Sequence, residues 1–176
     1  MTTSQSNRPE QIAAEVAALV ARIAAAMRAH GWTLATAESC TGGLIAGACT
    51  DLAGSSDWFE GGIVSYGNAA KTRLLGVPAA LIERHGAVSE PVARAMAEGA
   101  RARLDVDLAV AVTGIAGPGG GSADKPVGTV WLAWAGPQGV QARREQLAGD
   151  RAGVRHATVA CALRGVLERL HAAQGD

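Results

Sequence analysis

Apolar residues recur at three- and four-residue steps from Ile12 through Val16, Leu19, Val20 and Ile23 to Met27, the spacing of one buried helix face. This spacing predicts a helix over 9–29, with Pro9 in its first turn and His30-Gly31 at its end. TLATA at 33–37 reads as a short strand, and 42–52 as a helix with Leu44, Ile45, Ala48 and Leu52 on one side. WFEGGIVSYG at 58–67 reads as a strand, with a bulge expected at Gly61-Gly62. Short helices are expected over 68–75 and 78–84. A longer one, capped by Ser89 and opened by Pro91, runs to Arg103 with Val92, Met96 and Ala100 inward.

LAVAV at 108–112 is apolar throughout, as in a strand covered on both faces. TVWLAWA (129–135) and VQARREQL (140–147) form a hairpin around Gly136-Pro137-Gln138-Gly139. Asp150 caps a last helix carrying Val154, Thr158, Cys161, Leu167 and Leu170 on its apolar side. Helices before and after strands, one doubly covered strand and a late hairpin imply an α/β protein. The expected architecture is a three-layer α/β/α sandwich on a mixed, largely parallel sheet. No repeat or linker divides it, so one domain over 9–173 is expected, with 1–8 a flexible amino terminus.

Composition narrows the function classes. A chain of 176 residues, 48% apolar and 18% charged, can bury a substantial core. Sixteen basic residues balance sixteen acidic ones, and no basic run interrupts the chain, so nucleic acid is not an expected partner. No apolar run approaches the roughly 20 residues that span a bilayer, and the first residues lack the apolar stretch of a secretion signal. Cys40, Cys49 and Cys161 match no metal or redox spacing and read as buried thiols. A cytoplasmic protein without metal or cofactor is expected. Only Lys71 and Lys125 among the sixteen basic residues are lysines. Lysine, unlike arginine, can give up its proton when desolvated.

Three segments could carry chemistry. GIAGPGGGSADKPVG at 114–128 has neither the Gly-Lys-Ser/Thr of a Walker loop nor the third glycine of a dinucleotide fingerprint. It does leave the carboxyl end of LAVAV, where open α/β sheets bind ligands, which makes Thr113 a candidate contact. TAESCTGG at 36–43 places Ser39 between a strand and a helix, outside any G-x-S-x-G elbow. Ser39 reads as a nucleophile, a helix cap or part of an anion cradle. Thr41 could be the cap, and the amides of Thr41, Gly42 and Gly43 could face a phosphate or an oxyanion.

Cys40 is the rival nucleophile, but neighbours on an extended segment point to opposite sides. The base for Ser39 could be one of four histidines (His30, His85, His156, His171), none in a triad signature, or a neutral lysine. Lys71, after an apolar strand, is the better lysine; Lys125 sits in a glycine-rich loop. In GDRAGVR at 149–155, Arg151 and Arg155 share a helix face and could hold an anion, or stand solvated with Arg151 bridging Asp150.

Taken in order, TAESCTGG, AGSSDWFEGGIVSYGNAAKTRLLGV (53–77), HGAVSEPVA (85–93), VTGIAGPGGGSADKPVGTV (112–130) and GDRAGVR resemble the CinA carboxy-terminal domain family over about residues 10–172. The resemblance implies an α/β/α domain. It also implies hydrolysis of the amide of nicotinamide mononucleotide to nicotinate mononucleotide and ammonia, in pyridine-nucleotide salvage and without a metal. The family's Ser-Lys pair falls on Ser39 and Lys71. Its substrate contacts fall on Ser56, Tyr66 and Thr113, with an arginine placed at Arg151. A homo-oligomer, taken as a dimer, is the expected assembly. Two other classes stay open: a non-enzymatic competence- or damage-linked regulator, and a nucleotide-binding oxidoreductase.

Overall fold

The computed structural model describes residues 8–173. The expected flexible amino terminus therefore lies, up to residue 7, outside the described residues. In chain order the elements are α1 (Arg8–His30), β1 (Leu34–Glu38), α2 (Leu44–Thr50), a 3-10 turn (Ser55–Asp57), β2 (Phe59–Val64), α3 (Asn68–Leu75), α4 (Ala79–His85), α5 (Glu90–Leu104), β3 (Leu108–Gly114), β4 (Thr129–Gly136), β5 (Gly139–Gln146) and α6 (Arg151–Ala173). The strands form one sheet in the order β2-β1-β3-β4-β5. β1 runs parallel to β2 and β3, and the hairpin of β4 and β5 adds antiparallel strands.

Side-chain parity divides the core. Leu34 on β1 and Leu108, Val110 and Val112 on β3 face a layer made by α1, α2 and α6. Ala35, Ala37, Ala109 and Ala111 face α5 and the short helices α3 and α4. The second face carries mainly alanine because α5 lies close to it, with Ala93, Ala97 and Ala100 at the contact. On the first face α6 crosses Trp134 at Gly165. The indole donates to the Ala162 carbonyl at 3.1 Å, and Arg169 and Arg143 stack above the ring at 4.6 and 5.2 Å.

Several local expectations are revised. α2 starts at Leu44, because Gly42 and Gly43 adopt positive φ of 60° and 103° and form a turn. The irregularity in β2 falls just ahead of the expected glycine pair: Leu34 is opposite Phe59 and Ala35 opposite Gly61, leaving Glu60 as the extra residue. Ser89 precedes α5, but its hydroxyl donates to the Gly86 carbonyl and makes no cap. Asp150 does cap α6, accepting from the Gly153 amide at 2.8 Å. No helix among the described residues is long and apolar enough to cross a membrane.

The parallel directions of β1, β2 and β3 bring Glu38, Val64 and Val112 side by side at one end of the sheet. The segments leaving these strands therefore meet there, as in other open α/β sheets.

A test of the packing is Gly165→Ala. Alanine favours a helix interior by about 1 kcal/mol, yet a Cβ at this position would overlap the Trp134 ring. The overlap is expected to outweigh the propensity and cost about 2 kcal/mol net. Thermal denaturation should show a melting temperature lowered by roughly 5 °C; an unchanged or raised value would contradict this packing.

Candidate active site

The site is built where β1 ends. Ser39 extends the strand by one residue, its amide donating to Val112 O at 3.1 Å. The chain then turns through Thr41, Gly42 and Gly43 into α2. What closes the turn is the preceding side chain. Glu38, only 1% exposed, accepts from Thr36 Oγ1, Thr41 Oγ1 and the amides of Gly43, Ile45 and Ala46, at 2.6–3.2 Å. A carboxylate capping a helix from six residues upstream does the work expected of Thr41, whose own hydroxyl is one of the donors. Gly42 N donates to Ser39 O at 3.0 Å. The anion cradle expected of these glycines is therefore not available: both amides have internal acceptors.

Strand parity turns Ser39 the other way. Like Ala35 and Ala37 it faces the α3–α5 layer, and Lys71 on α3 approaches from there. Lys71 Nζ lies 3.0 Å from Ser39 Oγ, 2.9 Å from Ser65 O and 3.0 Å from Tyr66 O. Its residue exposure is 1%, and Ser39 keeps 8%. Burial lowers the Lys71 pKa below the ordinary 10.5, with the nearby Cys40 opposing the shift. Two carbonyls accept two N–H bonds, so in the neutral amine the third tetrahedral position, a lone pair, points at the serine hydroxyl. The lysine can thus receive the Ser39 proton without moving.

Cys40 is buried in the opposite core layer, and burial pushes its thiol up to about 11. A thiol so held is a poor nucleophile near neutrality. Cys49 is pushed up to about 12 for the same reason. None of the four histidines is hydrogen-bonded to Ser39, whose side-chain partner is Lys71.

A cleft of about 290 Å³ opens over Ser39 and Lys71, bounded by Cys40, Tyr66, Asn68, Ala87, Val88, Thr113, most of the 114–120 segment and Arg151. Tyr66 is 60% exposed at its lip, and its hydroxyl accepts from Arg151 Nη2 at 3.0 Å. Arg151 Nη1 holds Gly117 O at 2.9 Å, so this one guanidinium bridges the glycine-rich loop and the tyrosine. Among the described residues it has no carboxylate partner, and Asp150 is occupied with its cap. Thr113 borders the cleft, and its hydroxyl donates to Ala87 O at 2.9 Å.

Two expected ligand contacts fall elsewhere. Arg155 donates to Cys40 O at 3.1 Å and Thr41 O at 3.0 Å, clamping α6 onto the serine turn instead of sharing an anion with Arg151. Ser56 sits in the exposed 3-10 turn before β2, at the opposite end of the sheet from Ser39. Sequence reasoning missed Glu38, the Ser65 and Tyr66 carbonyls, and Asn68. Only Glu38 left a signal: an acidic residue in strand parity with Leu34 and Thr36, directed at a buried layer. Among the described residues no three His, Cys, Asp or Glu side chains cluster as metal ligands.

Residues 16–170 match the CinA C-terminal domain family. The chain is 56% identical over 138 residues to a protein of Enterobacter agglomerans named nicotinamide-nucleotide amidohydrolase PncC, covering 78% of this chain and 84% of that one. It is 52% identical over 153 residues to a Pseudomonas putida protein of the same name, covering 87% and 96%. To a longer CinA-like protein of Geobacter sulfurreducens it is 57% identical over 148 residues, covering 84% of this chain but only 36% of that one. The crystal structure of the competence/damage inducible protein CihA from Agrobacterium tumefaciens superposes with a TM-score of 0.86 at 46% identity, over 89% of this chain and 96% of that one.

The thiol assignments can be checked by alkylation. In the folded protein at pH 8, Cys40 and Cys49 should resist iodoacetamide under conditions that modify both after denaturation, as read by intact and peptide mass. Rapid modification of native Cys40 would restore it as the candidate nucleophile.

Proposed function

The chain belongs to the CinA C-terminal domain family, and on that premise we propose that it hydrolyses the carboxamide of nicotinamide mononucleotide to nicotinate mononucleotide and ammonia, a step of pyridine-nucleotide salvage. The names of two relatives matched over 84% and 96% of their length, nicotinamide-nucleotide amidohydrolases, support the substrate class and the reaction. The observation that carries the chemistry is the 3.0 Å contact between Lys71 Nζ and Ser39 Oγ in a buried setting beside an open cleft.

Neutral Lys71 takes the proton of Ser39 as Oγ attacks the carboxamide carbon. The positive charge formed on Lys71 stands beside the developing oxyanion and offsets it. The ammonium returns its proton to the leaving nitrogen, the C–N bond breaks, and ammonia departs from a seryl ester. Water attacks that ester, Lys71 takes its proton, and nicotinate mononucleotide leaves as Ser39 is restored. The substrate assists twice: its pyridinium withdraws electrons from the carbonyl, and its positive charge disfavours a charged lysine nearby. Arg151 would exchange its contacts with Gly117 O and Tyr66 for the 5′-phosphate. Tyr66 and Thr113 line the path between the two ends, and no oxyanion role is assigned to Gly42 or Gly43. The free thiols of Cys40, Cys49 and Cys161 suit a cytoplasmic setting.

A regulatory reading draws on the competence and damage wording attached to structural relatives. Against it stands the cost of burying a lysine against a serine, which a passive binding surface would not require.

Ammonia release from nicotinamide mononucleotide tests the reading. Ser39→Ala is expected to abolish turnover, and Lys71→Arg, which keeps charge but not basicity, to lower kcat by at least about 10²-fold. In the wild type kcat/KM should rise with pH through one ionisation lying below 10.5, because the neutral lysine is the active form and burial lowers its pKa. A flat profile, or an active Lys71→Arg, would remove Lys71 as the base.

A further inference from the structure

We propose that Glu38 is a positioning residue for the nucleophile, holding Ser39 at the distance from Lys71 that proton transfer needs; this rests on Ser39 and Lys71 acting as described above. Glu38 does not face the cleft. Its carboxylate points into the α1–α2–α6 layer, where Oε2 accepts from Thr41 Oγ1 at 2.6 Å, Gly43 N at 3.0 Å and Ile45 N at 3.1 Å. Oε1 accepts from Ala46 N at 2.8 Å and Thr36 Oγ1 at 3.2 Å. Ser39 is thus held between a strand, bonded to β3 through its own amide, and a helix start at which the Gly43, Ile45 and Ala46 amides converge on its neighbour while Leu44 N donates to Thr41 O.

The fold makes room for this contact. A Cβ on Gly62, opposite Thr36 in β2, would stand 2.6 Å from Thr36 Oγ1 and 2.8 Å from Ala46 Cβ. Its absence lets α2 settle over the carboxylate. Arg155 closes the other side through the carbonyls of Cys40 and Thr41. The turn bearing Ser39 is therefore fixed by an anion gathering its N–H groups and a cation gathering its C=O groups.

A carboxylate suits this place because it only accepts, and the three amides can only donate. Glutamine is nearly isosteric but would aim its own N–H2 at one set of donors, leaving buried groups unmatched. The turn would relax and Ser39 Oγ would shift. Catalytic rates respond steeply to such shifts, about 10²-fold for 1 Å.

Two readouts test this. One is kcat and KM for nicotinamide mononucleotide, corrected for folded fraction by circular dichroism. The other is the rate at which a fluorophosphonate labels Ser39, read by peptide mass, which needs no substrate. Glu38→Gln is expected to lower both kcat and the labelling rate at least tenfold, with KM within about twofold. Thr41→Val, a smaller lesion, should lower both three- to tenfold, and Thr41→Ser should restore them. A purely structural role would lower the melting temperature and leave kcat per folded molecule unchanged. Should Glu38→Gln not fold, the Thr41 pair decides alone. Folded variants with wild-type kcat and labelling overturn the proposal. A wild type that labels without deamidating overturns the substrate instead, and the labelling ratios still decide Glu38. A wild type that neither labels nor turns over overturns both.

Discussion

A carboxylate buried beneath a strand-to-helix turn is the constraint on which this sheet end depends. Glu38 has lost nearly all contact with water, and an isolated charge in that setting would be costly. Five donors replace the lost hydration, three of them amides at the start of α2 that would otherwise lack partners. The exchange suits both sides: α2, only seven residues long, gains a cap, and the charge gains a shell. The same bonds oblige the chain to turn through Gly42 and Gly43 in left-handed conformations, where a side chain would be strained.

Strand parity then distributes the chemistry. Positions 34, 36 and 38 face one layer, while 35, 37 and 39 face the other. Glu38 meets α2 and Ser39 meets α3, so adjacent residues hold the turn and carry the hydroxyl. By the same alternation Cys40 packs in the first layer, though it still borders the cleft beside Ser39. Under the proposed mechanism, burial in that layer and the raised pKa of the thiol both favour serine over Cys40 as the nucleophile. Lys71 completes the division: α3 begins just after the Ser65 and Tyr66 carbonyls, so the chain that delivers the amine also supplies two of its acceptors.

Much of this was legible in the sequence. Periodicity marked the helices, LAVAV marked the central strand, and the hairpin signalled that the sheet would be mixed. The alternation argument allowed only one of Ser39 and Cys40 to face the site, and the scarcity of lysine drew attention to Lys71. What stayed hidden depended on contacts far apart in sequence. Arg151 and Arg155 share a helix face, yet one reaches Gly117 and Tyr66 while the other reaches Cys40 and Thr41. Spacing on a helix fixes the direction of a side chain but not what lies in front of it. Thr41 stood where a cap is common, and only the fold brought in a stronger acceptor from upstream. Ser56 followed from resemblance alone, and its place before β2 is set by the parallel direction of that strand, which no local pattern reveals.

The two arginines also explain how a neutral chain presents a local cation. Arg155 is committed to backbone carbonyls that stabilise the serine turn, so its replacement would disturb the protein whether or not a ligand were present. Arg151 is held by a carbonyl and a phenol, partners that a dianionic phosphate can displace because charge-assisted hydrogen bonds are roughly twice as strong as neutral ones. Its resting contacts keep the guanidinium at the edge of the cleft and hold Tyr66 and the 114–120 loop around it. A ligand drawing Arg151 inward would loosen both at once. Under the proposed function, phosphate recognition at Arg151 would thereby be coupled to the shape of the cleft at Ser39, with no moving part beyond one side chain and the loop it restrains.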